Sequence, residues 1–145
     1  MGEEKIVLDT SVLIAGLLGS HVAKDILISI LRGEVLLVVS DEIFEEYLRA
    51  IHYDKIVDRI DLYEAYLFLD KLHRIAIRVK PSKKFRICRD PDDDMFIEVA
   101  YESKAKYIVT FDKDLLDLRN EERRIIVNNH EIKILMPKEF LKGNR

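Results

Sequence analysis

Glutamine is absent from this chain, and cysteine occurs once, as Cys88. A lone cysteine excludes an intramolecular disulfide and makes a cytoplasmic setting the default expectation. Without a CxxC partner or an evident base it also makes a poor thiol nucleophile. The scarcity of Gln, Asn and Cys beside 35% charged residues hints at a heat-adapted source, since average proteins carry roughly 25%. Long apolar runs are missing too. The longest uninterrupted one covers residues 12–18, far short of the roughly 20 residues that span a bilayer. Met1-Gly2-Glu3-Glu4-Lys5 lacks a signal-peptide pattern and leads directly into an expected strand. The five glycines form neither GxGxxG nor GxxxxGKS/T, so the common phosphate-binding loops are excluded. His21, His52, His73 and His130 show no paired ligand spacing and read as surface or boundary residues. With a net charge of −3, no global basic field is available to attract nucleic acid.

What is present fits one α/β domain over residues 1–145. The length and the 48% hydrophobic fraction suffice for a real core. Strands are expected over residues 6–9, 35–39, 75–79, 107–110 and 132–135, with an additional one over 125–127. Helices are expected over residues 11–18, 22–32, 41–51, 62–72, 91–103, 113–119 and 137–141. Residues 52–61 read as a turn or short helix, and 80–88 as a loop. Val35–39 is continuously apolar, as a central parallel strand buried on both faces requires. Strands alternating with helices imply a mainly parallel central sheet covered on both faces, a three-layer α/β/α sandwich.

Acidic residues recur at the ends of these strands and the starts of these helices. Asp9 ends the first apolar run, Glu45 and Glu46 lie on the helix after residues 35–39, and Asp90, Asp92, Asp93 and Asp94 crowd around Pro91. Asp112 and Asp114 follow Tyr107-Ile108-Val109-Thr110. The carboxyl ends of parallel strands share one edge, so these acids can converge in one crevice. Gathered carboxylates repel one another, and a hard cation such as Mg²⁺ or Mn²⁺ relieves that repulsion. Helix capping is the competing explanation: Asp90 fits an N-cap, Pro91 the first helical position and Asp93 the third. Ser11 is able to cap the first helix, which frees Asp9. Asp93 shares a face with Phe96 and Ala100 and should point towards the sheet end. Asp94, on the face of Ile97 and Tyr101, is the second choice. The helical wheel does not choose between Glu45 and Glu46. The segment 78–89 holds Arg78, Lys80, Lys83, Lys84, Arg86 and Arg89 with no acid, and is read either as a phosphate contact or as a solvated loop.

Five segments carry a resemblance: Val7-Leu8-Asp9-Thr10-Ser11-Val12-Leu13-Ile14, Ser40-Asp41-Glu42-Ile43-Phe44-Glu45-Glu46-Tyr47, Cys88-Arg89-Asp90-Pro91-Asp92-Asp93-Asp94-Met95-Phe96, Ile108-Val109-Thr110-Phe111-Asp112-Lys113-Asp114-Leu115-Leu116 and Ile134-Leu135-Met136-Pro137-Lys138-Glu139-Phe140-Leu141. Each is weak alone. In this order they resemble the PIN-domain family of Mg²⁺-dependent ribonucleases, and within it the archaeal and bacterial group described as toxin components of toxin–antitoxin systems. The resemblance implies a catalytic, metal-holding quartet of Asp9, Glu46, Asp93 and Asp112, and so selects Glu46 over Glu45. It leaves Asp94 and Asp114 as further metal candidates and assigns Ser11 and Thr110 to supporting polar positions. Many relatives carry Asn where Ser11 stands, and Gly or another residue where Phe111 stands. Neither departure removes a ligand, although Phe111 narrows access to the crevice. The implied reaction is hydrolysis of phosphodiester bonds in single-stranded RNA with Mg²⁺ or Mn²⁺. Lys83, Lys84, Arg86 and Arg89 are the candidates for RNA contact. A cognate antitoxin and a homodimer are the implied partners, with no membrane.

Three alternatives compete. A catalytically inactive module that binds RNA or protein would more often have lost one of the four acids. A haloacid-dehalogenase-like phosphotransferase wants a second Asp two residues after the first, where Ser11 stands. A receiver domain wants a pair of acids at the end of its first strand.

Overall fold

The structure, a computed structural model, describes residues 4–143; the outermost ends of the domain expected over 1–145 lie outside the described residues. Among these, the strands are β1 (Lys5–Leu8), β2 (Leu36–Val39), β3 (Ile77–Arg78), β4 (Tyr107–Val109), β5 (Arg124–Val127) and β6 (His130–Leu135). The α-helices are α1 (Thr10–Leu17), α2 (His21–Leu31), α3 (Asp41–Ala50), α4 (Asp54–Val57), α5 (Leu62–Ile75), α6 (Asp94–Ser103), α7 (Lys113–Leu116) and α8 (Pro137–Leu141), with a 3₁₀ turn at Pro91–Asp93. The strands form one sheet in the order β3-β2-β1-β4-β6-β5. Every pairing is parallel except β5 with β6. The chain is thus α/β with a mainly parallel central sheet, as the alternation of strands and helices predicts. Parallel crossovers are right-handed as a rule, and crossovers leading to both sides of β1 then cover opposite faces of the sheet with helices.

Burial explains the strand sequences. Ile6, Val7 and Leu8 of β1 and Ile108 and Val109 of β4 are wholly buried, as are Leu37, Val38 and Val39 of β2 to within a few per cent. These strands are central and packed on both faces, so they read as continuous apolar runs. The α2 terminus is equally legible. Gly33 adopts a left-handed φ of 75°, Gly33 N–H donates to Ile30 C=O at 3.0 Å and Glu34 N–H donates to Ser29 C=O at 2.9 Å, a glycine C-cap of the Schellman kind. At Asn128 and Asn129, φ is 46° and 69°, the pair of positive angles that a tight β5–β6 hairpin turn requires.

Most boundaries shift by one or two residues, and four differences bear on the site or on β3. Helix α5 runs to Ile75, so β3 shrinks to Ile77–Arg78. Ile75 follows Leu72 at helical spacing and precedes Ile77 at strand spacing, and both periods fit that residue. Helix α1 starts at Thr10, with Asp9 in the N-cap position. The 91–103 helix opens as a 3₁₀ turn, and α7 stops at Leu116. No single helix among the described residues is long and apolar enough to cross a membrane.

A buried ion pair fastens the C-terminal half. Arg119 donates to Glu139 Oε1 at 2.7 Å and to Ile134 C=O at 2.8 Å, while Met136 N–H donates to the same Oε1 at 2.9 Å. Arg123 adds a contact at 3.4 Å. Burial pushes the Glu139 carboxyl up, but Arg119, the Met136 N–H and Arg123 outweigh it and hold it below its usual range. Glu139→Ala is expected to cost about 3–5 kcal/mol in a urea melt, because it leaves Arg119 uncompensated. The pair Arg119→Met with Glu139→Leu should cost much less than the two single changes added together.

Candidate metal centre

The strand order reverses direction between β1 and β4. From β1 the chain steps to β2 and β3 on one side, then returns to place β4 and β6 on the other. A crevice opens outside the carboxyl ends of the strands at such a switch point. Asp9 leaves β1 there, and Thr110-Phe111-Asp112 leave β4. The register brings them together: Asp9 N–H donates to Val109 C=O at 3.0 Å, extending the β1–β4 ladder by one residue.

Asp9 is 4% exposed. Although it occupies the N-cap position of α1, its side chain caps nothing. Its Oδ2 instead accepts from Ser11 Oγ at 2.6 Å and Thr110 Oγ1 at 2.7 Å. Burial drives the carboxyl up; those two hydroxyls and the Thr10 N–H draw it down, and Asp112 pushes it up again, for a net rise. The same hydroxyls hold the β4 loop, for Ser11 Oγ accepts from Phe111 N–H at 3.1 Å and Thr110 Oγ1 from Asp112 N–H at 2.8 Å. Ser11 therefore does not cap α1, as its position suggested, but bridges Asp9 to the neighbouring loop. Beneath Asp9, the buried Tyr47 hydroxyl donates to Leu8 C=O at 2.6 Å. Burial and then Asp9 push that phenol up, so it remains a donor.

Asp112 caps α7 by accepting from Asp114 N–H at 3.1 Å. Carboxylate oxygens of Asp93, Asp112 and Asp114 lie within 4.8 Å of one another. Asp93 stands in the 3₁₀ turn, where burial, a hydrogen bond shared with Asp112, and the charges of Asp112, Asp9 and Asp90 raise its carboxyl to about 8. Glu46 reaches in from α3. It accepts from Tyr53 Oη at 3.1 Å and from Arg49 at 3.0 Å, whereas Glu45 points to solvent. Asp9, Glu46, Asp93 and Asp112 all line one open cavity of about 670 Å³.

Asp94 does something different. It is 6% exposed, and its Oδ1 accepts from Ile87 N–H at 3.0 Å and Cys88 N–H at 2.8 Å. Glu98 takes Phe85 N–H at 3.0 Å, and Glu102 takes Ser82 N–H at 3.2 Å. Residues 94, 98 and 102 thus form a carboxylate stripe, at a spacing of four on α6, that supplies acceptors for a loop with no strand partner. The i, i+4 spacing was readable, but the loop it serves was not. Asp94, the second choice for the metal, lines the neighbouring groove rather than the acidic cavity, and its Oδ1 is occupied by that loop.

The basic candidates divide. Lys84 and Arg86 line a second groove that shares Glu46, Asp92 and Met95 with the acidic cavity, and Arg49 joins them. Arg89 lies 3.5 Å from Asp114 and 3.8 Å from Asp117. Lys83 lines neither cavity. Arg49 and Tyr53 escaped the sequence reading. Arg49 is one turn from Glu46, a spacing that offers a signal, whereas Tyr53 sits beyond the helix end and offers none.

A family model described as "PIN domain" matches residues 5–114, the stretch that contains every acid of the centre. The uncharacterised protein MJ1680 of Methanocaldococcus jannaschii is 33% identical over 148 aligned positions, covering 95% of this chain and 90% of that protein. The crystal structure of PAE2754 from Pyrobaculum aerophilum superposes with a TM-score of 0.59 at 15% identity, covering 98% of this chain and 90% of that one; at that identity the likeness concerns the fold.

Asp93 supplies a pH test. Its carboxyl sits near 8 when folded, against an ordinary value of 3.8, so between those values the folded chain binds the extra proton. Stability without metal should then fall as pH rises from 5 to 8; Asp9, also raised, acts in the same sense. Glu139, lowered, has delivered its contribution by pH 5 and does not mask the trend. Asp93→Asn should flatten the slope in urea melts at pH 5, 6.5 and 8. Asp94→Ala should instead lose about 2–4 kcal/mol at every pH, because two loop N–H groups lose their acceptor.

Proposed function

Because the chain belongs to the PIN-domain family, we propose that it is a nuclease that hydrolyses phosphodiester bonds of single-stranded RNA with Mg²⁺ or Mn²⁺. The observation that carries this reading is the convergence of Asp9, Glu46, Asp93 and Asp112, from four separate segments, on one cavity at the sheet's switch point. The donor set suits such an ion. It consists of hard carboxylate oxygens, and two of its members, Asp93 and Asp112, lie with Asp114 within 4.8 Å of one another. The nearby Cys88 thiol is pushed up by burial and by Asp94, so it offers no competing thiolate.

Asp93 and Asp112 would hold the ion, with Asp9 and Glu46 completing the site and Asp114 at its edge. A bound Mg²⁺ or Mn²⁺ supplies a water of lowered pKa and offsets charge on the phosphate. Asp9 is oriented for its part by Ser11 and Thr110, which leave its carboxylate little freedom to rotate. Burial and Asp112 raise the Asp93 carboxyl to about 8, so holding the ion would require the Asp93–Asp112 pair to give up a proton, and metal affinity is expected to rise with pH up to about 8. Arg49, Lys84 and Arg86, in the adjoining groove, are placed to contact backbone phosphates on either side of the cut.

The toxin role belongs to the same proposal, with activity in the cytoplasm and an antitoxin as partner. Support for a protein partner comes from Ile28, Leu31 and Leu67, exposed apolar side chains on α2 and α5, beside a groove lined by Leu27, Ile60 and Phe68. A homodimer through the same helices is the self-association we propose.

Labelled single-stranded RNA incubated with Mn²⁺, Mg²⁺ or EDTA tests the chemistry. Cutting should require metal and fall at least about 100-fold in Asp9→Asn, of the order that loss of a key electrostatic group costs. Well-folded wild-type protein that cuts with neither ion would favour a binding module. Arg49→Ala and Lys84→Ala should each weaken RNA binding and reduce the slope of log affinity against log salt by about 1.

A further inference from the structure

The cavity that holds the acids is only partly acidic. Its lining also includes apolar groups, among them Ile14 of α1, Leu18 just beyond it, Ile56 of α4, and the rings of Tyr53 and Phe111. Chemistry on a phosphodiester needs carboxylates, cations and water, and none of these calls for an apolar wall. Leu18 and Ile56 are half-buried, yet neither is among the residues packed against the core. Their apolar surface is turned to the cavity rather than used to hold the fold. Phe111 is 42% exposed and Tyr53 48%, large values for rings beside a cavity, and among the described residues neither ring stacks on another aromatic.

Both residues are also tied to the acids. Phe111 immediately precedes Asp112, and its backbone N–H is fixed on Ser11 Oγ at 3.1 Å, the hydroxyl that bonds Asp9. The Tyr53 hydroxyl donates to Glu46 Oε2 at 3.1 Å. The Tyr53 ring and the backbone that carries Phe111 are therefore held at set places relative to the carboxylates, as groups that read the substrate next to the reacting phosphate must be.

We propose that this wall is a nucleobase subsite: Phe111, with Tyr53, stacks one base beside the scissile phosphate, over a floor of Ile14, Leu18 and Ile56. The proposal rests on the nuclease reading for its substrate class. Stacking tolerates any base because every base has a π-face, and the wall offers no amide or carboxamide pattern that would select one. The subsite distinguishes a base-bearing strand from a bare sugar–phosphate chain, and contributes affinity rather than sequence preference.

The test is fluorescence anisotropy with two labelled probes, an eight-nucleotide oligoadenylate RNA and a fully abasic ribose-phosphate chain of equal length. Both are titrated in Mg²⁺ with the Asp9→Asn chain, in which the strand stays intact. Oligoadenylate should bind the more tightly. Phe111→Ala should shrink the difference by about 10-fold, within the range that base–aromatic stacking contributes, while Phe111→Trp should preserve it. A thermal melt of each variant separates lost stacking from lost folding, and Phe111 is exposed enough that no loss of folding is expected. Equal binding of the two probes overturns the subsite, as does a difference that survives Phe111→Ala or no binding of either probe. Each of those results would leave the apolar wall to a protein side chain instead. Cutting by the wild type is scored separately. A chain that cuts but ignores the base keeps the nuclease and loses the subsite, whereas one that binds bases through Phe111 but never cuts does the reverse.

Discussion

A carboxylate removed from water at the end of a buried strand is costly unless donors meet it, and the surroundings of Asp9 are organised by that cost. Ser11 meets the charge from the first turn of α1 and Thr110 from the end of β4, and each hydroxyl then accepts a backbone N–H from the segment after β4. One buried acid thereby fixes the relative positions of the β1–α1 junction and the 110–112 segment. Asp112 is delivered beside it, and Asp93 is brought against Asp112 by the turn ahead of α6. The parallel pairing of β1 with β4 makes this possible, since only neighbouring strands that run the same way end at the same edge.

Helix α6 separates two uses of the same side chain. Asp93, at its threshold, lies among other acids, with its proton held up by burial and by Asp112. Asp94, one residue on, points about 100° around the helix and accepts two loop N–H groups. Together with Glu98 and Glu102 it gives the 80–88 loop a substitute for the missing strand partner. That loop carries Lys84 and Arg86 to the groove beside the acids. A run of acids at a helix start thus joins an acidic cluster on one face and holds a basic loop on the other.

The charge arrangement across the two cavities follows from this division. The overall balance of −3 offers no attraction for a polyanion, yet Arg49, Lys84 and Arg86 collect in one groove that shares Glu46 and Asp92 with the acidic one. Glu42, Asp94 and Glu98 line that groove too, and Arg49 and Lys84 already face Glu46 and Glu98. Its three cations thus stand among acids, and local charge by itself does not single out a polyanion; the nuclease reading rests on the family membership and on the acids of the first cavity.

The sequence by itself determined the class of fold and most of its elements, because buried parallel strands must be apolar on both faces and helices must repeat near 3.6 residues. It also determined that acids stand at strand ends, since Asp9 and Asp112 directly follow legible strands. Ile75 and the two-residue β3 were ambiguous because two periodicities overlap there. Glu46 against Glu45 needed more than a wheel, since both flank the apolar stripe, and only the packing of α3 turns Glu46 into the cavity. Tertiary structure alone decided that Asp94 faces the loop, that Ser11 bridges rather than caps, and that Tyr53 and Phe111 wall the acidic cavity. Each of these depends on contacts between segments separated by several to about a hundred residues, and local propensity carries no information about which distant backbone N–H or ring will be near.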